Sequence, residues 1–456
     1  MPPEGVRAAV AALARDEVAE QRWFGGKGAA LGQLSLAGSL GPFGEDEWLL
    51  ALAVGEETYL VPAALRDGRL AEARGPLWLA LAEACRSGAV LQGEGLSLRG
   101  TGGPLPTPAV RGEIRPLGID QSNTSVVVGE RLVLKCYRRL HAGEHPEIEL
   151  ARHLVERGFA QVPALYGSAE ARVGDVPGAG ALLLQEYVVD GKDGWLAAEE
   201  ELRALLEAAD VASAAAAPLR WARAVGEATA ELHALLAAAE DVGFAPRRAA
   251  PAELAELRAA TEAELGEALA LLDGEARRAL ADAEPALRER FALFERVDPP
   301  VLTRVHGDLH LGQFLHRGTK PPVIVDFEGE PTRAADERRQ LASPLRDLAG
   351  LLRSVDHAGW WVSREASPVA EAWIAAARGS IRSAYERRLA ELGAPFAVDD
   401  GLLSAFEAEK AVYEFVYAVR FLPSWLVVPQ RALGSVVAGA ARPSGPRDRP
   451  SRLAPG

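Results

Sequence analysis

The chain has 456 residues, a formal net charge of −14, 48% hydrophobic and 25% charged residues. A single core stops growing near roughly 250 to 300 residues, so two or three structural units are expected, and no apolar run approaches the ~20 residues that cross a bilayer. The acidic balance opposes nucleic acid and anionic lipid, whose phosphates are met by Lys and Arg. With no spanning run, a soluble chain with neither partner is expected, as a monomer or homodimer.

The N-terminal stretch interleaves Glu4, Arg7 and Arg15 with alanines and lacks the apolar core of a secretory signal, which predicts a cytoplasmic location. Residues 1 to about 87 read as a small α+β unit: a helix, an RWFGGKG stretch (Arg22 to Gly28), and the alternating segment EWLLALAVGEETYLVP, which reads as a hairpin. From Gly88 to Pro108 turn formers dominate, and a connecting loop is expected. Cys85 and Cys136 fall on either side of it, in what read as different units, as small buried hydrophobes.

Next come SVVVGERLVLKCY (Ser125 to Tyr137), with Gly129-Glu130 as a hairpin turn, the helical HPEIELARHLVERG, and the strand GALLLQEYV. Beyond Gly191 the spacing is helical, interrupted only at VLTRVHGDLHLGQFL and PPVIVDFEG. The tail from Arg442 is rich in Pro, Arg and Gly and reads as disordered. The expected organisation is a cap with linker over 1–108, a lobe over 109–190, a helical lobe over 191–441 and a tail over 442–456.

Moving a phosphoryl group from ATP needs a carboxylate for the acceptor hydroxyl, another for Mg²⁺, and a cation on the phosphates. His306-Gly307-Asp308, with Gln313 five residues on, has the spacing of a kinase catalytic loop. Asp308 is the base candidate. Asp326 follows the apolar run Val323-Ile324-Val325 and, with Gln313, is the candidate metal ligand. Lys135 ends Leu132-Val133-Leu134 and is the phosphate-pairing candidate, with Glu149 on the next helix to orient it. Gln121, Ser122, Asn123 and Ser125 offer amide and hydroxyl groups to phosphate, and Glu186 and Val188 lie in a hinge that would meet adenine. No G-x-x-x-x-G-K-[ST] segment occurs. His306 and His310 are spaced like a zinc pair, but Gly307 argues against a helix and favours roles in holding the loop. Glu328 and Glu330 read either as extra metal or substrate contacts or as surface charge.

These motifs resemble the aminoglycoside phosphotransferase superfamily and, within it, actinobacterial maltokinases: RWFGGKG, QSNTSVVVGERLVLK, VHGDLHLGQFL, VDFEGEP, Glu337 to Arg339 and SPLRDLAGLLRS occur in family order over most of the chain. The resemblance implies an α+β, protein-kinase-like two-lobed fold with an N-terminal cap subdomain and a mainly helical C-lobe. It implies ATP and Mg²⁺, with Asp308 as base, Gln313 and Asp326 as metal ligands and Lys135 on the phosphates. Maltose phosphorylated at its anomeric hydroxyl is the first expected reaction. Tyr413 to Leu433 is instead similar to the related glucosamine kinases, as is SVDHAG (Ser354 to Gly359), although Tyr413 stands where those enzymes have glutamine. That resemblance makes glucosamine, phosphorylated at a primary hydroxyl, the alternative, with Glu414 for the ammonium group. Tyr417, Trp425, Glu328 and Arg346 complete the candidate acceptor residues.

Overall fold

The computed structural model describes residues 4–13, 34–118, 123–174, 177–216, 219–330 and 333–438. The RWFGGKG stretch, Gln121, Ser122 and the tail from Arg442 lie outside them. The chain forms two compact units, one of residues 1–192 with 315–339, the other of 193–314 with 340–456.

In the first unit, α1 (Glu4–Ala11) precedes β1 (Leu34–Phe43), β2 (Glu47–Val54), β3 (Glu57–Arg66) and β4 (Arg69–Glu72). The expected hairpin is β2 and β3, paired from Glu47↔Ala64 to Val54↔Glu57. α2 (Pro76–Ser87) follows; its start is held by Glu47 from β2, which accepts from Arg74 N just before the helix at 2.8 Å and from Leu77 N in its first turn at 2.9 Å. The Leu77 N–H otherwise lacks a partner at a helix start.

A seven-stranded sheet follows, built from β5 (Val90–Gln92), β6 (Leu96–Gly100), β7 (Ile114–Pro116), β8 (Thr124–Val128), β9 (Leu132–Cys136), β11 (Leu165–Val173) and β12 (Ala179–Glu186) in the order β5-β6-β11-β12-β9-β8-β7. The two-residue β10 (Arg139–Leu140) pairs with β3 instead. β5 and β6 lie in the segment expected as a connecting loop. Two of its glycines serve close approach: a Cβ on Gly93 would lie 2.0 Å from Ser39 O and one on Gly100 1.8 Å from Ala84 O. The turn joining β8 to β9 has Gly129 at φ 57° and Glu130 at φ 55°, the left-handed pair a tight hairpin requires.

Cys85 and Cys136, expected in different units, share one core with Leu49, Trp78, Leu134 and Leu182. Burial pushes the Cys136 thiol up to about 11 and that of Cys85 higher still. α3 (Pro146–Glu156) crosses after β10, capped by His145. The hairpin Phe314–Arg317 and Lys320–Ile324 brings residues 315–339 into this unit, where Ile324 N donates to Gln161 O at 2.8 Å.

The second unit is helical: α4 (Gly194–Ala208), α5 (Arg220–Ala237), α6 (Pro251–Leu271), α7 (Gly274–Phe291), α8 (Pro344–Ser363), α9 (Pro368–Leu392), α10 (Asp400–Phe421) and α11 (Val427–Ala438). Leu265, Leu280, Phe291, Val412, Phe415 and Leu433 form one of its cores. Among the described residues no helix is long and apolar enough to cross a membrane.

Candidate active site

Lys135 sits mid-sheet on β9, registered between Leu183 of β12 and Ser125 of β8. Its ammonium reaches Asp326 Oδ1 at 2.7 Å, Glu147 Oε2 at 2.8 Å and the Glu328 carboxylate. The expected partner, Glu149, instead bonds Arg339 at 2.9 and 3.0 Å. The reason is helical phase. Pro146 opens α3, so Glu147 in its first turn faces β9, and Glu149 is rotated about 200° away. Tyr137 also donates to Glu147 at 2.7 Å, and the His145 cap stacks on its ring at 3.5 Å.

Burial alone would lower the Lys135 pKa, but Asp326, Glu147 and Glu328 hold it well above its ordinary value. Burial pushes Glu328 up to about 7, and its negative neighbours Asp326 and Glu147 add to that against the attraction of Lys135. Asp326 itself is 44% exposed and has φ 67°, a conformation an L residue adopts at some cost. Asn123 ties the strand entrance to this cluster, donating to Glu328 at 2.5 Å while its oxygen accepts from Arg138 N at 3.3 Å. Ser125 is buried, Glu186 accepts from Ala164 N at 3.3 Å, and Val188 is buried beyond the end of β12.

One group of three possible metal ligands occurs among the described residues: Glu147, Asp326 and Glu328, with oxygens within 4.8 Å of one another. Hard carboxylate oxygens, three of them against a single ammonium, suit Mg²⁺. The residues present therefore fit the expected metal, with Glu328 and Glu147 beside Asp326. Glu330, by contrast, is buried and paired with Arg333 at 2.6 Å.

The catalytic-loop motif lies in the second unit. Gly307 turns at φ 88°, and the N–H groups of His306 and Gly307 donate to the two oxygens of Asp347 on α8 at 2.7 and 2.9 Å. Asp347 is held in turn by His233 of α5 at 3.1 Å, whose other ring nitrogen is 2.8 Å from the Tyr385 hydroxyl of α9. All three side chains are essentially sealed from solvent. His306 Nδ1 accepts from Asp308 N at 3.3 Å; His310 Nδ1 accepts from Gly312 N and its Nε2 lies 3.1 Å from the Gln313 carboxamide. Both histidines thus hold the loop. Asp308 is left partly exposed with Lys410 Nζ at 3.3 Å.

Residues 113–392 match the phosphotransferase enzyme family. The chain belongs to that family. It is an ATP-dependent phosphotransferase of the kinase class. Two relatives named glucosamine kinase resemble this phosphotransferase: that of Streptacidiphilus jiangxiensis is 34% identical over 73% of this chain and 74% of its own length, and that of Mycolicibacterium smegmatis 33% identical over 72% and 80%. A solved glucosamine kinase in complex with glucosamine, ADP and inorganic phosphate superposes with a TM-score of 0.69 at 27% identity, covering 95% of this chain and 99% of that one. A second crystal form of a glucosamine kinase gives 0.73 at 28% identity, with the same coverage.

Of the candidate acceptor residues, Arg346, Glu414, Tyr417 and Trp425 lie on α8, α10 and the turn after α10, whereas Glu328 lies in the first unit against Lys135. Glu414 is buried, accepts twice from Arg353, and lies 2.9 Å from His357 Nε2. Burial alone would raise its pKa, yet Arg353 and His357 hold it down at about 2. Trp425 packs against Trp361 at 4.8 Å and Trp195 at 5.7 Å. Tyr417 stacks with Tyr413 at 6.0 Å, whereas Arg346 is committed to Glu409 at 2.7 Å. Sequence reasoning missed Glu147, His233, Asp347, Tyr385 and Lys410. Of these only Asp347 carried a signal, as a lone acid within the apolar run of SPLRDLAGLL, and Glu147 stood two residues from the acid that was singled out.

Proposed function

We propose that this protein is a sugar kinase whose acceptor is glucosamine, converted with ATP to glucosamine 6-phosphate. The observation that carries the reading is likeness along the chain: both relatives that share nearly three quarters of it are glucosamine kinases, and a glucosamine kinase structure bound to sugar and ADP covers 95% of it. Maltose is the first expectation from the ordered maltokinase-like segments, DFEGEP among them. The relatives favour the alternative, as does the resemblance of Tyr413 to Leu433 to glucosamine kinases.

In this reading Lys135 meets the phosphates of ATP, and Asp326, with Glu328 and Glu147, holds Mg²⁺. The metal, when bound, supplies charge neutralisation at the β and γ phosphates. Gln313 remains a proposed ligand on motif grounds, and Asn123 and Ser125 proposed phosphate neighbours, as are Gln121 and Ser122. Asp308 orients the acceptor hydroxyl and takes its proton as the oxygen bonds to the γ-phosphorus; the bond from that phosphorus to the bridging oxygen breaks and ADP departs. Asp347 and His233 fix the backbone that aims Asp308.

The test is ³¹P NMR of the product formed from glucosamine, ATP and Mg²⁺. A phosphomonoester on the primary hydroxyl is expected. Phosphate at the anomeric position, or no sugar phosphate at all, contradicts the proposal.

A further inference from the structure

We infer that Lys410 is a positioning residue for the transfer step: it holds Asp308 toward the acceptor hydroxyl and keeps an acceptor ammonium away from it. The second half of this rests on the amino-sugar reading above. Lys410 Nζ lies 3.3 Å from Asp308 Oδ1 and 4.5 Å from the ring centroid of Tyr413. Its side chain is 20% exposed and that of Asp308 27%. This is neither a solvated surface pair nor a sealed core bridge. It is a partly exposed ion pair.

The pair is fixed from both directions. The backbone just before Asp308 is pinned by Asp347, and the Lys410 stem runs past Gly350 of α8, where an added Cβ would come 4.0 Å from Lys410 Cε. The Tyr413 ring then seats the ammonium by its π-face. Tyr413 is the residue that departs from the glutamine of the glucosamine-kinase pattern, and its contact with Lys410 gives that departure a use.

Spacing on α10 supplies the second half of the inference. Lys410, Tyr413, Glu414 and Tyr417 stand at i, i+3, i+4 and i+7 and share one face. A cation therefore sits beside the base, while Glu414, about 6 Å further along the helix, is already paired with Arg353 and His357. An acceptor ammonium is repelled from Lys410, which leaves the hydroxyl for Asp308. A neutral sugar has no such preference.

The experiment compares Lys410→Met and Lys410→Arg with the parent chain, reading ADP release with saturating glucosamine and with water as the only acceptor. Lys410→Met should lower kcat on glucosamine about 10²-fold, the scale of removing one preorganised charged group, while the KM for ATP stays within about threefold. Lys410→Arg should recover activity to within about fivefold of the parent, since it keeps the charge. Release of ADP to water uses Asp308 and no sugar, and should fall in parallel in Lys410→Met. That arm holds even if the parent fails on glucosamine, a failure that counts against the acceptor reading alone. A kcat for Lys410→Met within about twofold of the parent, or a Lys410→Arg no better than Lys410→Met, overturns the role. Thermal unfolding of each variant separates a positioning loss from misfolding; if Lys410→Met unfolds early, Lys410→Gln is read by the same criteria.

Discussion

Glu328 is a carboxylate held where ionisation is expensive, beside two other carboxylates and one shared ammonium. Its folded pKa of about 7 lies above the unfolded value, so the folded state binds the extra proton. Its contribution to stability is therefore complete below about pH 4.5 and declines as pH rises toward about 7. Comparing unfolding midpoints of the metal-free parent and Glu328→Gln across pH 4 to 8 checks this: the substitution should remove a decline in that window, and an identical slope in both proteins would refute the assignment. Glu414 has the opposite sign. Its folded pKa of about 2 means that its contribution is present above about pH 4.5 and disappears as pH falls toward 2. Arg353→Met would leave that carboxylate buried without its guanidinium, a loss of about 3–5 kcal/mol, readable as a lowered denaturant midpoint at pH 7. Asp308→Asn tests the base itself: kcat should fall by at least ~10² with the fold intact, and an unchanged rate would remove Asp308 from the mechanism.

At the scale of elements, three helices converge on one backbone turn. Asp347 of α8 accepts the N–H groups of His306 and Gly307, while α5 lends His233 to hold the carboxylate and α9 lends Tyr385 to hold that histidine. Asp347→Ala leaves two buried donors and a histidine without their partner, at a cost of about 3 kcal/mol or more. Circular dichroism during thermal unfolding, paired with kcat, should show both fall together; a stable, fully active variant would mean the loop holds itself. This support was hidden in the sequence because it joins residues 40 or more positions apart. The catalytic loop was legible for the opposite reason, since Asp308, Gln313 and Asp326 carry their signature in local spacing. Helical phase misled between these limits: Glu149 and Glu147 both follow the strand of Lys135, and only the start of α3 at Pro146 decides which faces it. Of the glycines of 88–108, Gly88, Gly95 and Gly102 do turn while Gly93 and Gly100 admit a neighbouring backbone, two uses that a sequence does not distinguish.

For the molecule as a whole, the kinase chemistry and the choice of acceptor have separate sources. Strand and helix periodicity made the mixture of sheet and helix readable, the resemblance carried by the ordered motifs implied the kinase-like architecture, and the family match over residues 113–392 bears it out. The acceptor was not, because its residues are single side chains on α8 and α10 whose roles depend on packing: Glu414 is already shared by Arg353 and His357, and Arg346 is spent on Glu409. The most direct measurement is a coupled ADP-release assay giving kcat/KM for glucosamine and for maltose under identical ATP and Mg²⁺. The account predicts glucosamine ahead by at least about 10²-fold, the scale on which a site built for a charged group rejects a ligand lacking it. Turnover of maltose equal to or above that of glucosamine would contradict it.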